Sequence, residues 1–253
     1  MKCATWNVNG IRALVRKDLA PWSVLADCDV LCLQETKAQP DQVPEAVRRP
    51  DGWHSFWHSA PKKGYAGGAV YCRPQPAEAL EGLGVTRFED EGRLLAVRFG
   101  RQLVVSAYFP NSQGEGRRLD YKLAFCAAME KALAAWRKRR LQVLLMGDFN
   151  IAHRPIDLAR PKENENNAGY LPEERAWFSR FAELGWVDVF RSQNPDLADA
   201  YTWWSYRGGA RRRNVGWRLD YATADKTLAA KLGPVQHHSD IMGSDHCPVS
   251  VRL

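Results

Sequence analysis

Apolar runs of only about five or six residues recur along the whole chain, as at Val30 to Leu33, Leu94 to Phe99, Leu103 to Tyr108, Val143 to Met146 and Val249 to Leu253. Runs this short suit strands covered on both sides better than helices. Two segments between them have helical periodicity instead. From about Arg118 to Arg140, one face carries Leu119, Leu123, Cys126, Met129, Leu133 and Trp136. The closing Arg137-Lys138-Arg139-Arg140 complements a helix dipole and reads as structural. The second helix opens at Pro172 with Glu173 and Glu174 in its first turn, buries Trp177, Phe178, Phe181 and Leu184, and stops at Gly185. A third helix is expected over Lys17 to Ala26. Strands outnumber helices, and no linker, repeat or low-complexity tract divides them. The chain is therefore expected to form one α/β domain over residues 1–253, with two packed sheets and helices outside.

Charge narrows the partner. Lys and Arg total 36 against 29 for Asp and Glu, a net charge of +7 that favours a polyanion, either nucleic acid or a phosphorylated small molecule. Cys3, Cys28, Cys32, Cys72, Cys126 and Cys247 form no CxxC pair and sit mostly in apolar segments, as free thiols of a reducing compartment do. The start of the chain shows no basic-then-apolar leader, and no apolar run is long enough to span a bilayer. A cytoplasmic location without membrane contact is expected.

Polar residues gather where the apolar runs end, the place where α/β architectures collect chemistry. In Trp6-Asn7-Val8-Asn9-Gly10 two amides stand at period two and project from one face of a strand; an Asn-Gly turn is the alternative. In Leu33-Gln34-Glu35-Thr36-Lys37 a carboxylate sits at the mouth of a buried run, where it needs a cation or a donor to offset its desolvation. Mg²⁺ suits such a place because it takes few protein carboxylates and keeps its other positions for water and phosphate oxygens. A Glu capped by the following helix is the competing reading. Asp148 and Asn150 follow Val143 to Met146 and share a face, an acceptor and an amide able to orient one water. Arg218-Leu219-Asp220-Tyr221 and Gly243-Ser244-Asp245-His246-Cys247-Pro248 complete the set: His246, its ring held by Asp220, could stay protonated and bind a phosphate oxygen. Each motif alone has a structural explanation. Their accumulation at strand ends in one chain shifts the balance toward chemistry.

WNVNG, LQETK, YFPN, GDFN, RLDY and GSDHCPV, in this order and at these separations between Lys2 and Val251, resemble the exonuclease III family of abasic-site endonucleases. The resemblance implies a four-layer α/β sandwich with two mixed β-sheets packed face to face and helices outside. It further implies metal-dependent hydrolysis of the phosphodiester 5′ to abasic sites in duplex DNA, leaving a 3′-hydroxyl, with 3′–5′ exonuclease and 3′-end-cleaning activity. By matching position, Glu35 resembles the principal metal ligand, with Asn9, Asp245, Asp148 and Asn150 in the same metal set. One or two Mg²⁺ ions are expected, with Mn²⁺ able to substitute. Asp148 resembles the residue that activates or aligns the attacking water, and Asn150 its orienting amide. Asp220 and His246 resemble the pair that binds the scissile phosphate, Asn7 positions His246 or the water, and Tyr108 is similar to the tyrosine that stabilises the transition state. Asn9 stands where the animal branch has Asp, whereas Asn167-Ala168-Gly169-Tyr170 and Asn214-Val215-Gly216-Trp217 look animal-like.

From Tyr201 to Arg218, Tyr201, Trp203, Trp204, Tyr206 and Trp217 alternate with Arg207, Arg211, Arg212, Arg213 and Arg218. Arginines supply salt-sensitive phosphate contacts and aromatics supply faces for a base or a bare sugar. A solvated basic loop over core aromatics is the alternative. The resemblance makes Trp203, Trp217 and Leu219 a small pocket for a flipped abasic deoxyribose, with Asn164, Asn167 and Arg212 as further substrate contacts. The expected partner is double-stranded DNA with abasic sites or recessed 3′ ends, met by a monomer. Inositol polyphosphate phosphatases and sphingomyelinases share the Asn, Glu, Asp-x-Asn and Asp-His set, but the basic aromatic loop favours DNA. A catalytically dead DNA-binding module should have lost Glu35, Asp148, Asp220 or His246, and all four are present.

Overall fold

A computed structural model describes residues 1–253. In chain order its strands are β1 (Lys2–Asn7), β2 (Val30–Gln34), β3 (His54–His58), β4 (Gly68–Cys72), β5 (Glu78–Glu81), β6 (Leu94–Phe99), β7 (Gln102–Tyr108), β8 (Gln142–Asp148), β9 (Trp186–Asp188), β10 (Asp220–Asp225), β11 (Gln236–His237) and β12 (Val249–Arg252). They form two six-stranded sheets, ordered β11-β12-β1-β2-β4-β3 and β5-β6-β7-β8-β10-β9. Each sheet is mixed, with one parallel pair at its centre, β1 with β2 and β7 with β8, and antiparallel neighbours on both sides. Parallel neighbours need a crossover. Helix Leu119–Lys138 supplies it between β7 and β8, and two short helices supply it between β1 and β2.

Period-two alternation makes this a four-layer sandwich. Along β7, Leu103, Val105 and Ala107 turn outward onto Phe125, Met129, Leu133, Trp177 and Phe181 of the covering helices. Val104 turns inward and joins Cys3, Val30, Val70, Leu144 and Met146 between the sheets. The outer face of the other sheet buries Trp6, Leu31 and Tyr71 under Ile11, Leu14 and Leu25. Strands covered on both faces must be apolar on both faces, which is why they read as continuous runs.

Of the helix expected over Lys17 to Ala26, only Pro21–Val24 forms. It is preceded by helix Ile11–Val15, from which Asp18 at φ 57 separates it. Pro21 explains the break, since it disfavours helical backbone in the residue before it and starts a helix well at its own position. The other two helices run Leu119–Lys138 and Pro172–Glu183, inside their expected limits.

Arg218 corrects a second expectation. Its side chain is fully buried and bound to Asp157 at 2.9 Å and to Asp188 at 2.7 Å, so it cannot reach a phosphate. Arg191 joins the same Asp157 carboxylate at 2.7 Å. This network fixes the entry to β10. Burial pushes the Asp157 carboxyl up, but the two arginines outweigh it and hold its pKa below the ordinary value. A depressed pKa means that the stabilisation is present above the unfolded-state value and is lost as pH falls through the folded one. Asp157→Asn would leave two buried guanidinium groups under-compensated and is expected to cost about 3–5 kcal/mol. Urea unfolding should show that loss at pH 7, and a smaller gap between variant and wild type in acid.

Candidate active site

The C-terminal ends of β1, β2, β7 and β8, with the N-terminal end of β10, converge on one edge of the sandwich. Asp148 pairs in register with Tyr108 on one side and Asp220 on the other, and Asn7 with Gln34 in the facing sheet. A cavity of about 350 Å³ opens there, lined by Asn9, Glu35, Tyr108, Asp148, Asn150, Asn167, Trp203, Trp217, Leu219, Asp245 and His246 among others. Arg212 is exposed outside it, and Asn164 stays out of the lining. Asn164 binds the carbonyls of Ala159 and Arg160 and accepts from Asn167 Nδ2 at 2.7 Å, so it holds Asn167 in place.

The strand ends leave regular geometry sharply. Asn9, Glu35 and Asn150 take φ of 45, 52 and 50, left-handed values that cost free energy for residues with a Cβ. Gly147 has φ 145, and a Cβ there would lie 1.9 Å from the Ala107 carbonyl oxygen, so the strand before Asp148 tolerates only glycine.

Asn7 lies at the centre. Its Nδ2 donates to Glu35 Oε1 at 3.0 Å and to Asp148 Oδ2 at 2.9 Å, tying one sheet's carboxylate to the other's. Asn7 makes no bond to His246. Asp148 also accepts from the Asn150 backbone at 2.8 Å and from Asn150 Nδ2 at 3.0 Å, while Asn111 donates to Asn150 Oδ1 at 2.9 Å. His246 Nδ1 is bound to Asp220 Oδ2 at 2.8 Å, and its Nε2 lies 3.9 Å from Asp148. Thr202 donates to the same Asp220 oxygen at 2.7 Å. Ser244 donates to the Asn7 carbonyl and accepts from the His246 backbone, holding the last turn against β1.

Electrostatics follow from this crowding. Burial raises the Asp148 carboxyl; His246 pulls it back, Asp220 and Glu35 push it further, and the result is about 7. Burial lowers His246, but Asp220 and Asp148 outweigh it and lift it to about 10, so the ring is an imidazolium at neutral pH. Burial raises Glu35 too, yet Lys37 at 2.6 Å reverses the direction and keeps it ionised. Tyr108 goes well above its ordinary value through burial and the Glu35 charge, and stays a neutral donor. Arg93 lies over its ring at 4.6 Å.

Four carboxylates, Glu35, Asp148, Asp220 and Asp245, thus face two cations, Lys37 and His246. The deficit, an oxygen-rich donor set and a buried Asp220 Oδ1 with no hydrogen-bond partner fit a divalent cation. Ligand atoms of Asp148, Asp220 and His246 lie within 4.8 Å of one another, though a protonated His246 offers no lone pair to a metal. Asn9 and Asp245, expected beside Glu35, are also bound to each other, with Asn9 Nδ2 donating to Asp245 Oδ1 at 2.9 Å.

The aromatic and basic segment divides. Trp203 and Trp217 stand half-buried in the cavity with rings edge to face at 6.3 Å, and Trp203 Nε1 donates to Asp245 Oδ2 at 3.0 Å. Trp204 and Tyr201 are buried core. Arg211, expected on phosphate, is held by the carbonyls of Ser239, Ile241 and Ser244 and lies over Trp204. Arg207, Arg212 and Arg213 are exposed.

The sequence reading did not single out Lys37, Asn111, Thr202 or Ser244. Lys37 and Ser244 stood inside quoted motifs, as did Asn111, and only Thr202 lacked a signal beyond its place before Trp203.

Comparison with known proteins agrees with this geometry. The model of the Endonuclease/Exonuclease/phosphatase family matches residues 4–246. An exodeoxyribonuclease of Bacillus subtilis is 43% identical, the match covering 100% of this chain and 99% of the relative. The DNA repair nuclease APEX1 of Danio rerio is 40% identical over 100% of this chain and 82% of its own length. The solved structure of a 3′-5′ exonuclease from Neisseria meningitidis superposes with a TM-score of 0.88 at 30% identity, covering 100% of this chain and 99% of the other. The chain therefore belongs to the Endonuclease/Exonuclease/phosphatase family.

Proposed function

We propose that the protein is a DNA repair nuclease that incises the phosphodiester 5′ to abasic sites, with 3′–5′ exonuclease and 3′-end-cleaning activity in the same cleft. One observation carries this reading: Asp148 and His246, with Asp220 behind the His246 ring, share one cavity with the apolar walls Trp203, Trp217 and Leu219. Phosphate chemistry alone would serve any phosphoester. A small aromatic-walled pocket beside it suits a sugar that has lost its base and leaves the stack at low cost, while a normal nucleotide is excluded by its base.

Exposed cations support a duplex as partner. Exposed Arg12, Arg16 and Lys17 follow β1, Lys62 and Lys63 follow β3, and Arg207, Arg212 and Arg213 precede β10, all in connections that leave the active edge. Loops on both sides of the cleft could hold the backbone of one duplex.

In the proposed reaction a water between Asp148 and Asn150 attacks phosphorus in line with the leaving 3′ oxygen. Asp148, with its carboxyl near neutrality, takes the water's proton. The imidazolium of His246, oriented by Asp220, donates to a non-bridging phosphate oxygen, and the neutral Tyr108 phenol donates to the charge developing there. The P–O3′ bond breaks, the departing O3′ takes a proton from solvent water to become the 3′-hydroxyl, and the attacking oxygen stays on phosphorus as part of the 5′ phosphate. Glu35 and Asp148, with Asn9, Asn150 and Asp245, are the residues to hold Mg²⁺, or Mn²⁺ in its place, which when bound polarises the phosphoryl oxygens and offsets their charge. The proposed state is a cytoplasmic monomer; six buried free thiols fit a reducing compartment, and no helix is long and apolar enough to cross a membrane.

Three measurements check this reading. A raised Asp148 pKa makes its ionised form costly in the fold, a cost that grows as pH rises from about 4 to about 7. The His246 contribution likewise is full below its unfolded value and is lost as pH rises toward about 10. Mg²⁺ should therefore raise the melting temperature more at pH 8 than at pH 5, and equal shifts would disconnect the ion from these carboxylates.

Asp148→Asn should lower turnover about 10²–10⁴-fold with DNA affinity unchanged or improved. Turnover within about threefold of wild type would give the role to another residue.

The decisive experiment compares Trp217→Ala with Arg212→Ala on abasic and intact duplexes across a salt series. Loss of an aromatic wall should cut abasic-site incision roughly 10- to 100-fold with little change in salt dependence. Arg212→Ala should weaken binding to both duplexes and flatten the salt slope. Equal losses for Trp217→Ala on both substrates would withdraw the pocket assignment, and full cleavage in excess EDTA would withdraw the metal.

A further inference from the structure

Behind the cleft lies an ion pair that the proposed chemistry does not use. Lys122, on helix Leu119–Lys138, and Glu174, in the first turn of helix Pro172–Glu183, meet at 2.7 Å with both side chains fully buried. Two charges removed from water are costly, and apolar residues of similar size often stabilise such a position as well or better. A contribution to packing therefore does not account for them.

Their bonds run into the walls of the cavity. Glu174 Oε2 accepts from the Gly169 backbone at 2.7 Å and from the Leu171 backbone at 2.9 Å. Its Oε1 accepts from Ser112 Oγ at 2.6 Å and from Lys122 Nζ, which also donates to the Asn150 carbonyl at 2.5 Å. One carboxylate and one ammonium thus join three segments that are distant in sequence. Ser112 follows Asn111, which orients Asn150; Gly169 follows Asn167 and packs against the Trp217 ring, where an added Cβ would lie 3.4 Å from Cζ3.

We propose that Lys122 and Glu174 act as a positioning unit that sets the spacing between the 111–113 segment, the 167–171 segment and the Asn150 backbone, and so fixes how an abasic sugar is seated. The inference rests on the nuclease reading of the cleft. Neither residue touches substrate. Asp220 and His246 are held by Thr202 and by each other, and Asp148 keeps its bond from Asn7 whatever happens at Asn150, so loss of the unit should disturb seating before chemistry. Misplacement of about 1 Å in a site of this kind can cost 10²-fold.

Glu174→Gln and Ser112→Ala are to be compared with wild type at equal folded concentration and saturating Mg²⁺. The substrates are a duplex with one tetrahydrofuran abasic analogue and an intact duplex with a recessed 3′ end. Glu174→Gln should raise KM for the abasic duplex about tenfold while kcat on the recessed end stays within about threefold. Ser112→Ala should move the same ratio in the same direction by less. Amide exchange at Gly169 and Leu171 should quicken in both variants relative to the rest of helix Pro172–Glu183. Proportional loss of both activities, or exchange unchanged at those amides, would show a merely structural pair and overturn the proposal. If Glu174→Gln does not fold, Ser112→Ala decides by the same two readouts. A wild type that cuts neither duplex removes the nuclease reading instead, and the exchange measurement still decides whether the pair orders the 167–171 segment.

Discussion

Everything at the active edge depends on one amide. Asn7 Nδ2 donates to a carboxylate of its own sheet and to one of the facing sheet, a single amide bonded to both Glu35 and Asp148. Two carboxylates at that spacing repel each other in a low-dielectric interior, and a neutral donor shared between them lowers that cost without removing either charge. Gln34 makes a similar tie one residue before Glu35, from β2 to Ser106 of β7 at 2.9 Å. The relative placement of the two sheets is therefore set by polar bonds near the site and by apolar packing farther from it.

The same edge is where local preference is overridden. Asn9, Glu35 and Asn150 sit in left-handed backbone, Asp148 is driven toward protonation, and Asp220 keeps an oxygen without a donor. Each feature costs stability in the free protein, and they coincide on the residues assigned to phosphate and metal. A site that is tense in this way is relieved by a cation, so the binding energy of the ion is directed at the state in which the reaction proceeds. The rest of the molecule offsets the cost with fully covered strands, while the Asp157–Arg218–Asp188 network fixes the entry to β10.

Much of this was legible in the sequence, and for physical reasons. Strands covered on both faces announce themselves as short apolar runs, and the polar residues that end them line one cavity. The Tyr201 to Arg218 segment was not legible, because composition does not say which way a side chain turns. Trp203 and Trp204 are neighbours on extended chain, so they face opposite ways, one into the cavity and one into the core. Arg211 and Arg218 looked like phosphate ligands until their carbonyl and carboxylate partners, remote in sequence, were in place. Glu174 did leave a signal. It stands three, four and seven residues before Trp177, Phe178 and Phe181, on the face that the second helix buries, and a carboxylate there requires partners. Lys122 repeats the pattern with Cys126, Met129 and Leu133, so the two helices each carried one buried charge of opposite sign. What neither helix revealed is that the pair would bond backbone from the loops between them, because those loops have no periodicity to read.

Recognition and chemistry are joined at one further point. Trp203 forms a wall of the pocket, yet its indole nitrogen donates to Asp245, whose other oxygen accepts from Asn9. Lys37 in turn binds both Asn9 and Glu35. A continuous chain of hydrogen bonds thus runs from the pocket wall through the proposed metal side to the carboxylate that Asn7 shares with Asp148. The family's phosphate chemistry can serve many phosphoesters, since it needs only the strand ends. The loops choose among substrates, and here the choosing surface is bonded directly to the catalytic one. On the proposed function, a sugar seated against Trp203 rests on a side chain anchored to Asp245 of the proposed metal set, so seating and alignment are set by one network.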